Sequence, residues 1–212
     1  MENLSGIRNI IFDLGGVLLD LDFESPVREF SAIGKDGENF EYRQAIKDPV
    51  FLQFETGEIS PDKFRERIRK MLGNPLVTDE VIDAAWCSML LRVPVQKVRL
   101  LQQLSHSFRL FLFSNTNEIH ISHFKKSFEE CHGLPVDSLF EKTFYSHEIK
   151  DRKPRASSFR KVTELAGIDP DETLFVDDFE QNIAAAREFG LRVLHYIPGE
   201  DLSAPFRLNS ER

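Results

Sequence analysis

The chain has 212 residues, a formal net charge of −8 at pH 7 and two cysteines, and this length allows one good-sized core or a core domain with a small accessory domain. An acidic chain repels nucleic acid and anionic membrane surfaces, so we expect neither as a partner. Two cysteines indicate no disulfide framework, and no apolar run suits a signal peptide or a membrane span, so we expect a cytoplasmic protein.

The first apolar run, residues 10–12, is short and continuous in hydrophobicity, as expected of a strand buried on both faces of a parallel sheet. The segment 20–93 that follows contains no convincing strand. Ser60 and Pro61 predict the start of one helix, and Thr78 can cap another. Two or three further short helices are indicated around Arg28, Phe30, Phe40, Phe51 and Phe54. We therefore expect a small all-α insert at 20–93.

The rest of the chain alternates between short apolar runs and helical patterns. The runs are residues 110–113, 143–145, 174–176 and 193–197. Apolar side chains recur at helical spacing after Pro94, Asn117, Pro154 and Asp178. This alternation predicts an α/β fold, a Rossmann-like doubly wound parallel sheet built from residues 1–19 and 94–212. Residues 198–212 are predicted to be a loose terminal extension.

Polar side chains follow four of the predicted strands, where ligands bind in open parallel sheets. They are Asp13 after the first strand, Ser114 and Asn115 after the second, Lys153 soon after the third, and Asp177 and Asp178 after the fourth. This set suits phosphoryl transfer. A carboxylate can attack phosphorus, Mg²⁺ on hard oxygen ligands and a lysine can neutralise charge, and hydroxyl and N–H groups can bind phosphate oxygens.

The order of these motifs resembles that of the haloacid dehalogenase superfamily over nearly the whole chain. The four matching segments are Asp13-Leu14-Gly15-Gly16-Val17-Leu18, Ser114-Asn115-Thr116-Asn117, Lys153-Pro154 and Phe175-Val176-Asp177-Asp178. The insert at 20–93 is similar to the family's helical C1 cap. The second motif and the stretch around Lys153 are similar to the bacterial α-D-glucose-1-phosphatase branch.

The resemblance implies a Mg²⁺ site. Asp13 would be both the nucleophile and a metal ligand, and the backbone carbonyl of Gly15 would be the second protein ligand. Asp178 matches the third ligand, with Asp177 orienting beside it. A competing interpretation of Asp178 is a helix cap, because it stands three residues before a Gln in capping-box spacing.

The resemblance also implies a phosphate site. Ser114 and the backbone N–H of Asn115 would bind the phosphate, and Lys153 would neutralise the charge of the nucleophile and the phosphate. We expect hydrolysis of a small phosphorylated metabolite, such as a sugar phosphate. The oligomeric state is not indicated.

The chain departs from the family at Gly15, where most of its phosphatases carry an acid–base aspartate. Losing such a group typically lowers the rate about 10²–10⁴-fold. A nearby group, Asp20, Asp22, Glu180 or His147, could substitute for it. Alternatively, the substrate could have a good leaving group, or the protein could be a slow enzyme or a binder.

Three other functions remain open on the sequence. A 2-haloacid dehalogenase uses the same nucleophile without metal, but its members lack a paired acidic fourth motif such as Asp177-Asp178. A phosphomutase needs the acid–base group missing at Gly15. A non-catalytic phosphate-binding or regulatory protein is the third.

Overall fold

The computed structural model describes residues 4–34 and 47–206. A five-stranded, all-parallel sheet has the order β3-β2-β1-β4-β5, which confirms the predicted α/β class. The strands are β1 (Asn9–Phe12), β2 (Arg109–Ser114), β3 (Lys142–Tyr145), β4 (Thr173–Asp177) and β5 (Arg192–His195). The last strand therefore ends earlier than the predicted 193–197, and Tyr196 is its first following residue.

Helices cover both faces of this sheet, because alternate strand residues point to opposite sides. Ile10 and Phe12 of β1 pack on one face with helices α5 (Val95–Leu104) and α6 (Glu118–His132). Ile11 packs on the other face against α8 (Ala156–Ala166) and α9 (Glu180–Phe189). The short helix α7 (Ser146–Ile149) directly follows β3, and 3₁₀ turns lie at Val136–Leu139, Pro170–Glu172 and Ala204–Phe206.

The segment between β1 and α5 contains helices and no sheet strand among its described residues. The helices are α1 (Ser25–Ile33), α2 (Pro49–Glu55), α3 (Pro61–Met71) and α4 (Asp79–Cys87). Ser60 caps α3 by accepting a hydrogen bond from the N–H of Lys63, whereas Thr78 at the start of α4 makes no side-chain cap bond. The prediction of helix around Phe40 lies outside the described residues.

These four helices enclose their own apolar cluster, distinct from the two clusters on the sheet. Phe64 lies at its centre, with its ring stacked on Phe54 at 4.4 Å between centroids and set at an angle to Trp86 at 5.5 Å. Ile119 of α6 joins the cluster, so α6 contacts both the insert and the sheet.

The prediction of a loose extension from residue 198 is wrong for its first nine residues. Leu202 and Phe206 are buried in the core, and the Phe206 ring lies 6.1 Å from that of Phe12. The polar residues around Leu202 and Phe206 suggested an exposed segment, although these two apolar side chains pack into the core. Residues 207–212 lie outside the described part.

Within the described residues, no helix combines the length and apolar character needed to cross a membrane.

Candidate active site

The carboxyl edge of the sheet gathers the predicted site residues because the central strands are in register. Phe12 pairs with Val176, so the next residues, Asp13 and Asp177, lie at neighbouring strand ends. The N–H of Asp13 donates to the carbonyl of Val176 at 2.8 Å, which extends the ladder by one bond. Both aspartates are buried, and Asp177 is fully so.

The side chain of Lys153 forms ion pairs with both of these carboxylates. Its ammonium lies 2.8 Å from Asp13 Oδ1 and 2.7 Å from Asp177 Oδ2, and the residue is 1% exposed. The rings of Phe113 and Phe175 flank the ammonium, each with its centroid 5.4 Å away. Burial opposes the charge of Lys153, but the two carboxylates outweigh it and raise the pKa of the lysine.

Both carboxylate oxygens of Asp177 accept hydrogen bonds. Its Oδ1 accepts from the N–H of Phe179 at 2.8 Å, and Asn182 Nδ2 donates to both oxygens at 3.0 and 3.1 Å. Together with Lys153, these donors hold a carboxylate that would otherwise be costly to bury. The arrangement indicates that Asp177 mainly positions the lysine ammonium.

Asp178 is half-buried and differs from its neighbour. The N-cap of α9 is Phe179 and no side chain caps that helix, so the capping-box interpretation of Asp178 is wrong. A Cβ at Gly16 would collide with the Asp178 carboxylate, and Gly16 has φ +79°. The glycine therefore allows the carboxylate to approach the turn after β1.

Asp13, Asp177 and Asp178 form a cluster that fits a metal ion. Each offers one carboxylate oxygen, and these oxygens lie within 4.8 Å of one another. Burial raises the pKa of Asp13 to about 7, with Lys153 lowering and Asp177 raising it. Burial and the charge of Asp177 also raise the pKa of Asp178. Three crowded carboxylates face one ammonium, so a hard divalent cation would relieve their repulsion.

The turn at Gly15 has no side chain to perform acid–base chemistry. A Cβ there would lie 2.9 Å from Cδ1 of Leu21, so the leucine side chain fills that space. Leu21 pairs with Leu90 in an isolated bridge, which places it at the junction between insert and core.

Ser114 and Asn115 lie at the end of β2, beside the cluster. Ser114 is the last residue of the strand and is 4% exposed. The Asn115 side chain accepts from the N–H of Lys153 at 3.0 Å and donates to its carbonyl at 2.9 Å. Asn115 thus fixes the backbone that carries the lysine, a contact that its motif position did not reveal.

Three residues of this region were missed from the sequence. Asn182 binds Asp177 from α9, Ser146 connects the loop after β2 with the insert, and Glu55 places a carboxylate from α2 beside Arg152. None belongs to one of the four motifs predicted from the sequence. The contacts between Ser146 and Glu55 span 91 residues, so no local pattern could indicate them.

A family model described as haloacid dehalogenase-like hydrolase matches residues 7–190. The chain therefore belongs to the haloacid dehalogenase-like hydrolases, a class consistent with its parallel sheet and the carboxylates at its carboxyl edge.

Several proteins are similar to it. The D-ribitol-5-phosphate phosphatase of Bacteroides thetaiotaomicron is 29% identical over 195 residues, 92% of this chain and 94% of that protein. The crystal structure of HAD family enzyme bt-2542 from the same species, in complex with magnesium and inorganic phosphate, is 42% identical with a TM-score of 0.89, and the match covers 95% of this chain and all of that one. A predicted HAD-like family hydrolase from Porphyromonas gingivalis is 32% identical with a TM-score of 0.86, over 98% and 100% of the two chains.

Proposed function

We propose that the chain is a Mg²⁺-dependent phosphatase that hydrolyses a small phosphomonoester, such as a sugar or sugar-alcohol phosphate, with Asp13 as nucleophile. The observation that carries this proposal is the contact of one buried ammonium, Lys153, with Asp13 at 2.8 Å inside a three-carboxylate cluster. The phosphatase and the magnesium–phosphate complex among the similar proteins support it.

The metal would be held by Asp13, Asp178 and the backbone carbonyl of Gly15, with Asp177 beside them. Bound Mg²⁺ would offset the negative charge that a phosphate brings towards Asp13. Gly16 contributes by leaving room for the Asp178 carboxylate at this turn. The hydrogen bonds from Phe179 and Asn182 hold the Asp177 carboxylate next to the Lys153 ammonium.

The remaining residues would bind and neutralise the phosphate. Lys153 holds Asp13 in place and shares the charge of the nucleophile and the phosphate. The Ser114 hydroxyl and the Asn115 N–H would donate to phosphate oxygens as charge develops on them. The Asn115 side chain keeps Lys153 aligned through its two bonds to the lysine backbone.

We also propose that residues 20–93 act as a cap on the core formed by 1–19 and 94–212, and exclude water during transfer. The separate apolar cluster of the insert supports this division. The substrate would then bind between the two, where cap residues select its organic part.

Phosphate release tests the proposal. The substrates are D-ribitol 5-phosphate, α-D-glucose 1-phosphate and p-nitrophenyl phosphate, each with Mg²⁺ or EDTA. We expect turnover only with Mg²⁺, and loss of about 10⁴-fold or more in Asp13→Asn, because the attacking group is gone. Asp62→Asn, an exposed aspartate of α3, is the matched control and should keep full activity.

Two results would contradict this function. Metal-independent halide release from 2-haloacids would identify a dehalogenase. Absence of turnover on all phosphate esters, with Mg²⁺ and inorganic phosphate still binding, would indicate a non-catalytic phosphate-binding protein.

A further inference from the structure

A phosphatase that acts on a sugar or alkyl phosphate needs a proton donor for the leaving alkoxide, and the turn after β1 cannot supply it. Gly15 has no side chain, and Leu21 fills the space into which one would project. The donor must therefore come from another part of the molecule. This inference rests on the proposed phosphatase function.

The four groups considered from the sequence are poorly suited. Oδ1 of Asp20 accepts a hydrogen bond from Lys97 at 3.1 Å. Both oxygens of Asp22 accept hydrogen bonds at 3.0 Å, from the Arg28 side chain and from the N–H of Glu24. Glu180 is exposed at the first position of α9.

His147 is the fourth of these groups. Its Nδ1 lies 3.2 Å from the carbonyl of Thr116, and burial lowers the pKa of its ring. A lowered pKa disfavours the protonated form that would act as an acid.

Glu55, the last residue of α2, is fixed against the core by its backbone. The Ser146 hydroxyl is 2.7 Å from the Glu55 carbonyl and 2.8 Å from the N–H of Thr116, in the loop directly after β2. Two residues after Glu55, the carbonyl of Gly57 accepts a hydrogen bond from the Lys150 ammonium at 2.6 Å. A glutamate of the insert is thus anchored beside the strand end that carries the predicted phosphate-binding residues.

The Glu55 side chain points to the segment that holds Lys153. Its Oε1 lies 2.8 Å from Nε of Arg152, the residue immediately before the lysine. The Arg152 N–H is directed to the Lys153 carbonyl instead, so Oε1 is enclosed without a hydrogen-bond donor. The side chain as a whole remains 27% exposed, so the protein does not enclose it completely.

The electrostatic surroundings suit proton exchange. Burial raises the pKa of Glu55, while the positive charges of Arg152 and Lys153 lower it. Among the described carboxyl groups, only Asp13 and Asp178 share a pKa raised in this way. A phosphate bound near Lys153 would offset part of the positive charge and favour the protonated glutamate further.

We propose that Glu55 of the insert is the general acid–base group of this phosphatase, in place of the side chain missing at Gly15. In the first step an Asp13 oxygen bonds to phosphorus, the bond from phosphorus to the leaving oxygen breaks, and the Glu55 proton moves to that oxygen to give the alcohol. In the second step Glu55 takes a proton from water, the hydroxide bonds to phosphorus, and the aspartyl-phosphate bond breaks. Free phosphate, the Asp13 carboxylate and protonated Glu55 result.

Leaving-group dependence tests this assignment. Glu55→Gln keeps the size of the side chain and the backbone bond to Ser146. For sugar or alkyl phosphates, whose alkoxides need a proton, we expect kcat/KM to fall about 10²-fold or more. For p-nitrophenyl phosphate, whose phenolate leaves without one, kcat/KM should stay within about threefold, whereas kcat falls and a burst appears because the second step loses its base.

The matched control is Glu58→Gln. Glu58 is an exposed glutamate that accepts a hydrogen bond from Thr56 at 2.9 Å, and its substitution should leave kcat/KM for both substrates unchanged. An equal fall of kcat/KM on both substrates would show that Glu55 only holds the insert against the core, and would overturn the proposal. No fall in Glu55→Gln, or a selective fall in His147→Gln alone, would overturn it as well. Wild-type inactivity on every ester would overturn the phosphatase function itself, and with it this proposal.

Discussion

Two buried regions of this molecule are organised in opposite ways. At the carboxyl edge of the sheet, Lys153 and Asp177 are buried charges that satisfy one another. In the insert, Phe64 and Trp86 are packed among apolar side chains, and the described ion pairs between its helices, such as Arg65–Asp83, join residues outside this cluster. Burial of a side chain therefore does not by itself indicate its role. The buried residues at the sheet edge carry charged groups suited to catalysis, whereas those in the insert stabilise the packing of its helices.

The energetics of the two regions differ accordingly. Burying an aromatic side chain contributes about 1.5–3 kcal/mol to stability through the area removed from water. Buried charges stabilise little in net terms, yet removing one partner leaves the others uncompensated. We therefore expect substitutions at the sheet edge to affect both activity and stability, and substitutions in the insert cluster to affect mainly stability.

The largest effect is expected for Lys153→Met. It leaves the Asp13 and Asp177 carboxylates facing each other, so the free energy of unfolding should fall by about 3–5 kcal/mol. Phosphate release should fall about 10²–10³-fold, the effect typical of losing one group that stabilises the transition state. Urea unfolding and steady-state kinetics measure the two. Lys126→Met, at an exposed lysine of α6, is the control and should change stability little.

Phe64→Ala tests the other side of the comparison. Removing the ring at the centre of the insert cluster should lower the free energy of unfolding by about 3–5 kcal/mol. The exposed Val81 of α4 is the control, because its truncation to Ala should change stability by about 0.5 kcal/mol or less. If Phe64→Ala left stability unchanged but abolished activity in the folded protein, the contrast between the regions would be wrong.

A smaller effect concerns the junction of the two regions, where His120 of α6 stacks on Trp86 with centroids 4.6 Å apart. Burial lowers the pKa of His120 to about 4, and its Nε2 lies 3.1 Å from the Trp86 carbonyl. The unfolded chain binds the proton more readily, so stability falls as the pH drops below the ordinary histidine pKa. Between pH 7 and pH 5 the loss should be roughly 2 kcal/mol.

His120→Gln isolates this contribution, since its amide can still donate to the Trp86 carbonyl. Urea unfolding of both proteins at pH 7 and pH 5 should give a shallower pH dependence for the variant. Identical pH dependence in the two proteins would show that the histidine does not carry the effect.

Much of the core was accessible from the sequence. Short continuous apolar runs predicted all five strands because both faces of a parallel sheet are buried. The cluster of Asp13, Lys153, Asp177 and Asp178 followed from the rule that carboxyl ends of parallel strands meet at one edge. Their catalytic roles stay predictions that rest on the resemblance.

The remaining features depend on tertiary contacts. The approach of Glu55 requires the insert to dock on Ser146, and nothing in the sequence of α2 indicates that docking. Asn182 belongs to none of the four predicted motifs, and its bonds to Asp177 form only when α9 packs beside the end of β4. Phe206 anchors the segment after β5, but its polar neighbours suggested a loose extension.

The central claim is that Asp13 becomes phosphorylated during turnover. The most direct measurement is acid quenching of the wild-type protein during hydrolysis of a ³²P-labelled sugar phosphate in Mg²⁺, followed by peptide mapping. We predict hydroxylamine-sensitive label on the peptide that contains Asp13, and none in Asp13→Asn. Steady phosphate release without any labelled peptide in the wild type, or continued turnover by Asp13→Asn, would contradict the account.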